Sequence, residues 1–431
     1  MNLRHRNHPR NHLWIPTLGA VACLVLAGCS GQGDDGAGTS DADDSAAGTP
    51  SEAAPQPETG PFEMPLVFDQ TGVPIEAEVY DTAPGDRVSP KFELEGTTLV
   101  GNTNEAMIGI DLSTGESNWE HSFQAPNTTG EAFLETTNGP VLADGVAYAA
   151  GPLLLGGVPS AEVMAVDIDS GERLWTAIAP DISSNQESGN LERSWIAAAS
   201  DEVVLVGQGE EPLGSTPSLT ALDPDSGEVL WQARDVAVHV LLDGLIVAVH
   251  HEIGCDHLVG LEVATGEPRW TSQECTSLAS IVESAQGTVL ISMFSDDLDN
   301  FGEPISGLVD ITTGAIAEGG DFGGADLDSV GPVVTVDLGV NTDEFSVVDA
   351  GSLESLWQLP SASTTGLNGA VGFGDAIYVT VSGPVFVPVD ALTGEELADE
   401  TPGKAVRVNE YGAIVYLDGE LVFLAATGGE G

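Results

Sequence analysis

A short motif that recurs seven times constrains the fold of this chain more than any other feature. Two copies read AVDIDSGERLW (165–175) and ALDPDSGEVLW (221–231), with an acid in third position and a final tryptophan. Successive motif acids are separated by 39 to 56 residues, and they are Asp111, Asp167, Asp223, Glu262, Asp310, Asp349 and Asp390. A period near 40 residues with insertions indicates a protein built from one repeated supersecondary unit.

The segments between the motifs favour strands over helices. Stretches such as GPVLADGVAYAAG (139–151) and GDAIYVTVSGP (374–384) are short, apolar and bounded by Gly, Asp or Pro, which is typical of strands joined by turns. No long stretch has the i, i+3, i+4 apolar spacing of an amphipathic helix. Between a helical array and a β-propeller, the two main architectures with this period, the sequence therefore favours the propeller.

Each position of the motif has a physical role. An apolar residue precedes the acid in every copy, as expected where a strand faces a core. The acid can accept backbone N–H bonds in an Asx-turn, and the following Ser/Thr-Gly completes the turn because glycine reaches positive φ at little cost. Eight residues after the acid, five copies carry an indole that can pack between neighbouring repeats, namely Trp119, Trp175, Trp231, Trp270 and Trp357.

This pattern resembles the tryptophan-docking motif of the PQQ-like (quinoprotein-type) β-propeller family, over about residues 62–431. The resemblance implies that each tryptophan packs on the adjacent blade and braces the ring. Three positions depart from it, because Leu353 stands where glycine is expected and Glu318 and Ala398 stand where tryptophan is expected.

The number of repeats predicts an all-β propeller of eight four-stranded antiparallel blades, with seven blades as the alternative. Seven units carry the motif, and GAIVYLDGELVFLAATG (412–428) supplies two further strands. The segment PLVFDQTGVPIEAEVYD (65–81) is strand-like and lacks the motif. We expect it to complete the last blade by pairing the two termini, since closure leaves only short, protected edges.

The N-terminus predicts export. An arginine-bearing start without acids precedes a short apolar run that ends in Leu26-Ala27-Gly28-Cys29, which is the pattern of a signal peptide. The final tetrapeptide resembles the bacterial lipobox, and this resemblance implies cleavage before Cys29 and acylation of that cysteine. An ordinary signal peptide with an incidental cysteine is the alternative.

A lipid tail anchors a protein to a membrane without crossing it. We therefore expect a signal peptide (1–28), a disordered acidic tether rich in Pro, Gly and Ser (29–61) and a propeller (62–431) at the extracytoplasmic face of the cell membrane.

The charge of the chain excludes some partners. Its formal net charge is −57 and it contains only two lysines. Such a surface repels nucleic acid and anionic lipid headgroups, so we expect membrane association through the lipid anchor alone and no binding to nucleic acid.

Two regions contain residues that could bind metal. Cys255 and Cys275 remain once the leader cysteine and Cys29 are set aside, and in an exported protein they are expected to form a disulfide. Cys255 lies within VHHEIGCDH (249–257), in which the adjacent histidines alternate faces if the run is a strand. A disulfide-stapled polar loop is the preferred interpretation, with a zinc or copper site as the alternative.

A second acidic segment, FSDDLDNFGEP (294–304), offers Asp296, Asp297 and Asp299 to calcium, but the spacing of an EF-hand is absent. Calcium therefore stays a possible ligand beside the simpler interpretation of an acidic surface loop.

The resemblance suggests two kinds of function. Quinoprotein dehydrogenases of this family bind PQQ with calcium, and the resemblance implies a stacking tryptophan and often adjacent cysteines. This chain has no adjacent cysteines, has few basic residues for a tricarboxylate cofactor, and has Trp195 as its spare tryptophan. The recognised hydrolase, nucleotide-binding and zincin motifs are also missing from the sequence.

The sequence therefore predicts no catalytic residues and no PQQ. By fold-level analogy with BamB-type lipoproteins of outer-membrane barrel assembly, we expect a non-enzymatic scaffold for protein partners at the cell envelope. The alternatives are a PQQ-dependent oxidoreductase and a sensor of a sugar, a cell-wall fragment or a cation.

Overall fold

A computed structural model describes residues 61–75, 79–83, 87–103, 105–124, 139–155, 158–180, 182, 193–209, 217–242, 244–252, 255–272, 276–283, 288–295, 304–319, 326–330, 333–337, 345–359, 370–381 and 385–430. The regular elements in these ranges are all strands. No helix in the described ranges is long and apolar enough to span a membrane.

Four short strands precede the repeats. They are β1 (Met64–Phe68), β2 (Val73–Ile75), β3 (Tyr80–Ala83) and β4 (Arg87–Pro90). The last two pair with each other as a separate hairpin, so the end of the predicted closing segment 65–81 lies in this hairpin and not in a blade.

Seven four-stranded blades follow, each with its strands in sequence order across the sheet. The first four blades are β5 (Phe92–Glu95), β6 (Thr98–Asn102), β7 (Ala106–Asp111), β8 (Ser117–Ser122); β9 (Val141–Ala143), β10 (Val146–Leu155), β11 (Val158–Asp167), β12 (Arg173–Pro180); β13 (Arg193–Ala199), β14 (Val204–Gly209), β15 (Ser218–Leu222), β16 (Val229–Arg234); and β17 (Val236–Leu242), β18 (Leu245–Glu252), β19 (Cys255–Glu262), β20 (Pro268–Thr271).

The next three blades are β21 (Thr276–Glu283), β22 (Val289–Ser295), β23 (Pro304–Val309), β24 (Ile316–Glu318); β25 (Asp326–Val330), β26 (Val333–Asp337), β27 (Phe345–Asp349), β28 (Ser355–Leu359); and β29 (Ala370–Phe373), β30 (Ala376–Val381), β31 (Val385–Asp390), β32 (Thr401–Pro402). The chain continues into β33 (Lys404–Asn409), β34 (Gly412–Leu417) and β35 (Glu420–Glu430).

The eighth blade joins the two ends of the chain. Strands β33, β34 and β35 form its inner part, and β1 pairs antiparallel with β35 as its outer strand. Strand β2 pairs with the first half of β35, after a turn in which Asp69 accepts the Thr71 N–H at 2.8 Å. The predicted closure by pairing of the termini is therefore confirmed.

The first strands of the blades line the centre of a closed ring. Each contacts the first strand of the next blade, from β5 through β9, β13, β17, β21, β25 and β29 to β33, and β33 contacts β5 again. The fold is therefore an eight-bladed β-propeller, as the repeat count predicted, and the seven-bladed alternative is wrong.

The core lies between adjacent blades and not within one central cluster. Val247 and Val249 of the fourth blade, for example, pack with Ile281, Val289 and Ile291 of the fifth. Because each strand alternates its side chains between two faces, every inner strand supplies apolar residues to both of its blade interfaces.

Candidate functional site: the loop face of the ring

The two ends of the ring differ in their connections. We call the end that carries the motif turns, between the third and fourth strand of each blade, the turn face. The opposite end, where second strands pass into third strands and one blade passes into the next, is the loop face. The two longest connections between strands, from β8 to β9 and from β12 to β13, both join strand ends at the loop face.

The motif acids hold the turn face together. Asp111 accepts hydrogen bonds from the Ser113 N–H at 2.7 Å and the Ser113 hydroxyl at 2.6 Å, and its own carbonyl accepts the Gly115 N–H at 2.7 Å. The same Asx-turn pattern recurs at Asp167, Asp223, Asp310, Asp349 and Asp390. These carboxylates are engaged in structure, so they offer little free chemistry.

The hydrogen bonds of the turn stabilise the charged form of the carboxyl. For this reason the pKa of Asp167, Asp310 and Asp349 lies below its ordinary value. Glu262 replaces aspartate in the fourth blade and instead pairs with Arg269, whose Nη2 lies 3.3 Å from Glu262 Oε1.

The motif tryptophans join each blade to the next. Four indole N–H groups donate across the blade interface to the residue that follows the next motif acid. The bonds run from Trp175 to Pro224 O at 2.7 Å, Trp231 to Val263 O at 2.7 Å, Trp270 to Ile311 O at 2.7 Å and Trp357 to Ala391 O at 2.9 Å. Trp119 differs, because its buried Nε1 has no hydrogen-bond partner among the described residues.

The turn glycines make room for these indoles. A Cβ added to Gly227 would lie 2.7 Å from Trp175 Cε3, and one added to Gly394 would lie 2.7 Å from Trp357 Cδ2. Gly171, Gly266 and Gly314 face Trp119, Trp231 and Trp270 in the same way. Glycine is therefore needed for steric space as well as for its positive φ.

The interface between the fifth and sixth blades lacks both partners. Glu318 occupies the tryptophan position of the fifth blade, and Leu353 occupies the glycine position of the sixth at φ +61°. Leu353 is buried, and its Cδ1 lies 3.2 Å from a Cβ added at Gly319. The leucine side chain thus packs against the fifth blade in place of an indole.

The N-terminal chain reaches the ring at the turn face. The Phe62 N–H donates to Glu410 O at 2.9 Å in the β33–β34 turn, and Glu63 O lies against Gly374 in the β29–β30 turn. From there β1 runs toward the loop face as the outer strand of the eighth blade. The described part of the chain therefore begins at the turn face.

Polar side chains are buried between blades toward the loop face. Glu162 of the second blade is 2% exposed and accepts the Gln124 N–H from the end of the first. The Gln208 amide of the third blade bonds to the backbone of the second in either orientation of the amide. These contacts cross blade interfaces, and sequence reasoning missed them because neither residue belongs to the motif.

The β18–β19 hairpin brings a group of histidines and acids to the loop face. His251 Nδ1 lies 3.1 Å from Asp256 Oδ1, and His250 Nδ1 lies 3.6 Å from Glu252 Oε1. His239 lies on the inner strand β17, and its side chain is exposed to solvent. Partial desolvation by the nearby protein, aided by His251, lowers the pKa of His239.

Several predicted residues lie outside the described ranges, namely Cys29, Cys275, Asp296, Asp297 and Asp299. The expected lipid site, disulfide and calcium loop therefore stay predictions. Cys255 begins β19 opposite Glu252, and Trp195 lies on β13 against Gly207. Among the described side chains, no three His, Cys, Asp or Glu residues are already grouped to hold a metal ion.

The ring, its turns and its docked indoles define the class of protein: a β-propeller of tryptophan-docked repeats. A family described as outer membrane protein assembly factor BamB matches residues 159–313, which span the second to fifth blades. Over these blades the chain is thus similar to PQQ-like β-propeller repeats. No curated protein matches its sequence.

Solved structures are similar to the chain in fold. The quinohemoprotein alcohol dehydrogenase of Comamonas testosteroni has a TM-score of 0.51 and 13% identity, covering 86% of this chain and 76% of that one. The quinohemoprotein alcohol dehydrogenase ADHIIG of Pseudomonas putida HK5 has a TM-score of 0.50 and 13% identity, covering 79% and 74%. BamB of Moraxella catarrhalis has a TM-score of 0.49 and 16% identity, covering 83% and 100%.

Proposed function

We propose that this protein is a lipoprotein at the extracytoplasmic face of the cell membrane whose propeller is a non-enzymatic scaffold for binding or assembling protein partners. The sequence supports the anchor through its leader and the cysteine at its end. The match of residues 159–313 to the BamB family supports a role in assembly at the envelope.

The difference between the two faces carries this proposal. The turn face is occupied by short turns whose carboxylates and glycines serve the ring itself. The loop face carries the two longest connections, and a rigid scaffold that presents such connections is the usual arrangement for partner binding. We therefore assign partner docking to the loop face.

The entry point of the N-terminal chain supports the same assignment. Phe62 and Glu63 lie on the turn face, so the described chain enters the ring at the end opposite the proposed docking face. A partner at the loop face would not contact this entry point.

Site-specific crosslinking in intact membranes tests the docking face. A photoreactive amino acid is placed at Leu155, which ends β10 at the loop face and is 57% exposed, or at Leu392, in the seventh motif turn and 50% exposed. We expect a discrete protein adduct from position 155 and none from 392. Adducts at 392 alone, or at neither position, would refute the assignment.

The anchor and the absence of enzymatic activity are tested separately. Cys29→Ser should release the protein from the membrane fraction, and retention of this variant would contradict lipidation.

Purified protein incubated with PQQ and calcium should give neither a visible chromophore nor dye reduction. A chromophore with dye reduction would favour an oxidoreductase, an alternative for which the fold likeness to alcohol dehydrogenases supplies no catalytic residue.

A further inference from the structure

The register of the β18–β19 hairpin brings potential metal ligands together that are separate in the sequence. His250 pairs directly with His257, and Glu252 pairs directly with Cys255. Directly opposite residues of an antiparallel pair share a face, and so do residues i and i+2 of one strand. His250, Glu252 and His257 therefore occupy one face of the hairpin end, with Cys255 at the fourth register position.

The described contacts agree with this register. His250 Nδ1 lies 3.6 Å from Glu252 Oε1, so these two side chains already converge. The side chains of His250 and Glu252 are 34% and 58% exposed, which leaves them accessible to an ion. His251 and Asp256 pair with each other on the opposite face at 3.1 Å. The adjacent histidines therefore do alternate faces. On each face the residue directly opposite the histidine comes from β19, namely His257 for His250 and Asp256 for His251.

We propose that this face of the hairpin end binds a divalent transition metal ion of the zinc type, with His250, His257 and Glu252 as ligands. Two imidazoles and one carboxylate form a ligand set that zinc takes at about 2.0–2.2 Å, leaving a fourth position for water. The Cβ atoms of opposite residues lie about 5 Å apart. The three side chains are not grouped around one point in the structure. Rotation about their χ angles to other staggered rotamers can bring them onto one ion.

The net charge and the histidine content of the chain both favour cation binding at the β18–β19 hairpin end. A net charge of −57 raises the local concentration of cations, but carboxylates alone do not select transition metals. Imidazole is the ligand that distinguishes zinc, copper and nickel from calcium and magnesium. The five histidines outside the leader are His121, His239, His250, His251 and His257, and only the hairpin end places two of them opposite each other.

Zinc titration by calorimetry in 0.15 M NaCl tests the proposal, because this salt concentration screens exposed acidic groups. The protein used is the unit Gln56–Gly431, which contains all eight blades and the closing strand. We expect one equivalent of Zn²⁺ to bind, and His257→Asn and His250→Asn each to weaken binding about tenfold or more. Cobalt loading should give visible d–d absorption of the wild type that both variants lose.

The matched control is His251→Asn, the same substitution one residue along on the opposite face, and it should leave zinc affinity unchanged. Circular dichroism and unfolding of each apo variant separate lost binding from lost folding. Several weak equivalents that His250→Asn and His257→Asn leave unchanged would show binding to surface acids and overturn the proposal. Equal loss in His251→Asn would also overturn it.

Discussion

Single residues of the repeat explain how neighbouring blades are joined. Five turn glycines have a positive φ and also lie against the indole of the preceding blade, as Gly227 does against Trp175. The two requirements are separable, because other glycines have positive φ without a neighbour. Between the fifth and sixth blades both residues are replaced together. Glu318 occupies the tryptophan position and Leu353 the glycine position, because the space for a side chain at 353 exists only where the indole is missing.

Gly227→Ala should therefore destabilise the protein more than Gly145→Ala. Both residues have positive φ, at +71° and +76°, but a Cβ at 227 would lie 2.7 Å from Trp175 Cε3 whereas a Cβ at 145 has no neighbour within 4 Å. We expect a loss of about 1 kcal/mol at 145 from backbone strain, and a further ~1–3 kcal/mol at 227 from overpacking. Urea unfolding measures both, and equal losses would contradict the steric role.

Replacing the indoles by phenyl rings separates hydrogen bonding from packing. Trp231→Phe removes the 2.7 Å bond to Val263 O, whereas Trp119→Phe removes a buried donor for which the described part of the chain offers no partner. We expect Trp231→Phe to cost about 1–2 kcal/mol more free energy of unfolding than Trp119→Phe. The two variants are each other's control, and a larger loss at 119 would disprove this account.

The turn aspartates should make stability depend on pH in the acid range. Their folded pKa is lowered, so their contribution is full above the unfolded pKa near 4 and is lost as the pH falls through the folded value. The triple variant Asp167→Asn, Asp310→Asn, Asp349→Asn keeps an oxygen acceptor but does not titrate. Between pH 5 and 3 its unfolding midpoint should fall less than that of the wild type, and parallel curves would contradict the assignment.

Among the elements, the outer strand of the eighth blade both completes that blade and contacts the seventh. Phe68 of β1 is buried, and its ring centroid lies 5.4 Å from that of Phe386 and 6.2 Å from that of Tyr378 in the seventh blade. The Tyr378 hydroxyl also donates to Pro65 O at 2.9 Å. One N-terminal strand therefore links the last two blades.

Phe68→Ala should cost about 3–5 kcal/mol of unfolding free energy, because it empties a buried aromatic site. Val67→Ala is the control on the same strand, since Val67 is 52% exposed, and it should change stability by about 0.5 kcal/mol or less. Chemical denaturation of both variants provides the comparison. A similar small loss in both would mean that β1 contributes little to closure.

The elements were largely predictable, because the motif acid and tryptophan recur at fixed phase and the strandlike 65–81 segment lacks a motif of its own. The sequence could not show that Tyr80 pairs with Pro90 in a separate hairpin, since local pattern does not reveal which strand is the partner. For the same reason the pairing of His250 with His257 needed the register. The position of Glu162 and Gln208 between blades depends on packing that no repeat signal records.

At the scale of the whole molecule, the ring divides structural and surface roles between its two ends. Motif carboxylates and glycines of the turn face serve closure, and the described hairpin end with His250 and His257 belongs to the loop face. Both ends carry acidic groups, with few cations to balance them. The ion pair of Arg407 Nη2 with Glu93 Oε1, at 3.1 Å, joins the eighth blade to the first. Self-repulsion is thus a property of the entire ring.

Salt should therefore stabilise the protein. A net charge of −57 disfavours the compact state through repulsion among acids, and the Debye length shortens from about 30 Å at 0.01 M to about 10 Å at 0.1 M. We expect the thermal unfolding midpoint to rise between 0.01 and 0.5 M NaCl and then to level off. Choline chloride at the same ionic strength is the control, because it screens charge without supplying a small metal cation. A midpoint that rises in NaCl alone would indicate specific cation binding, and one that falls in both salts would refute the repulsion argument.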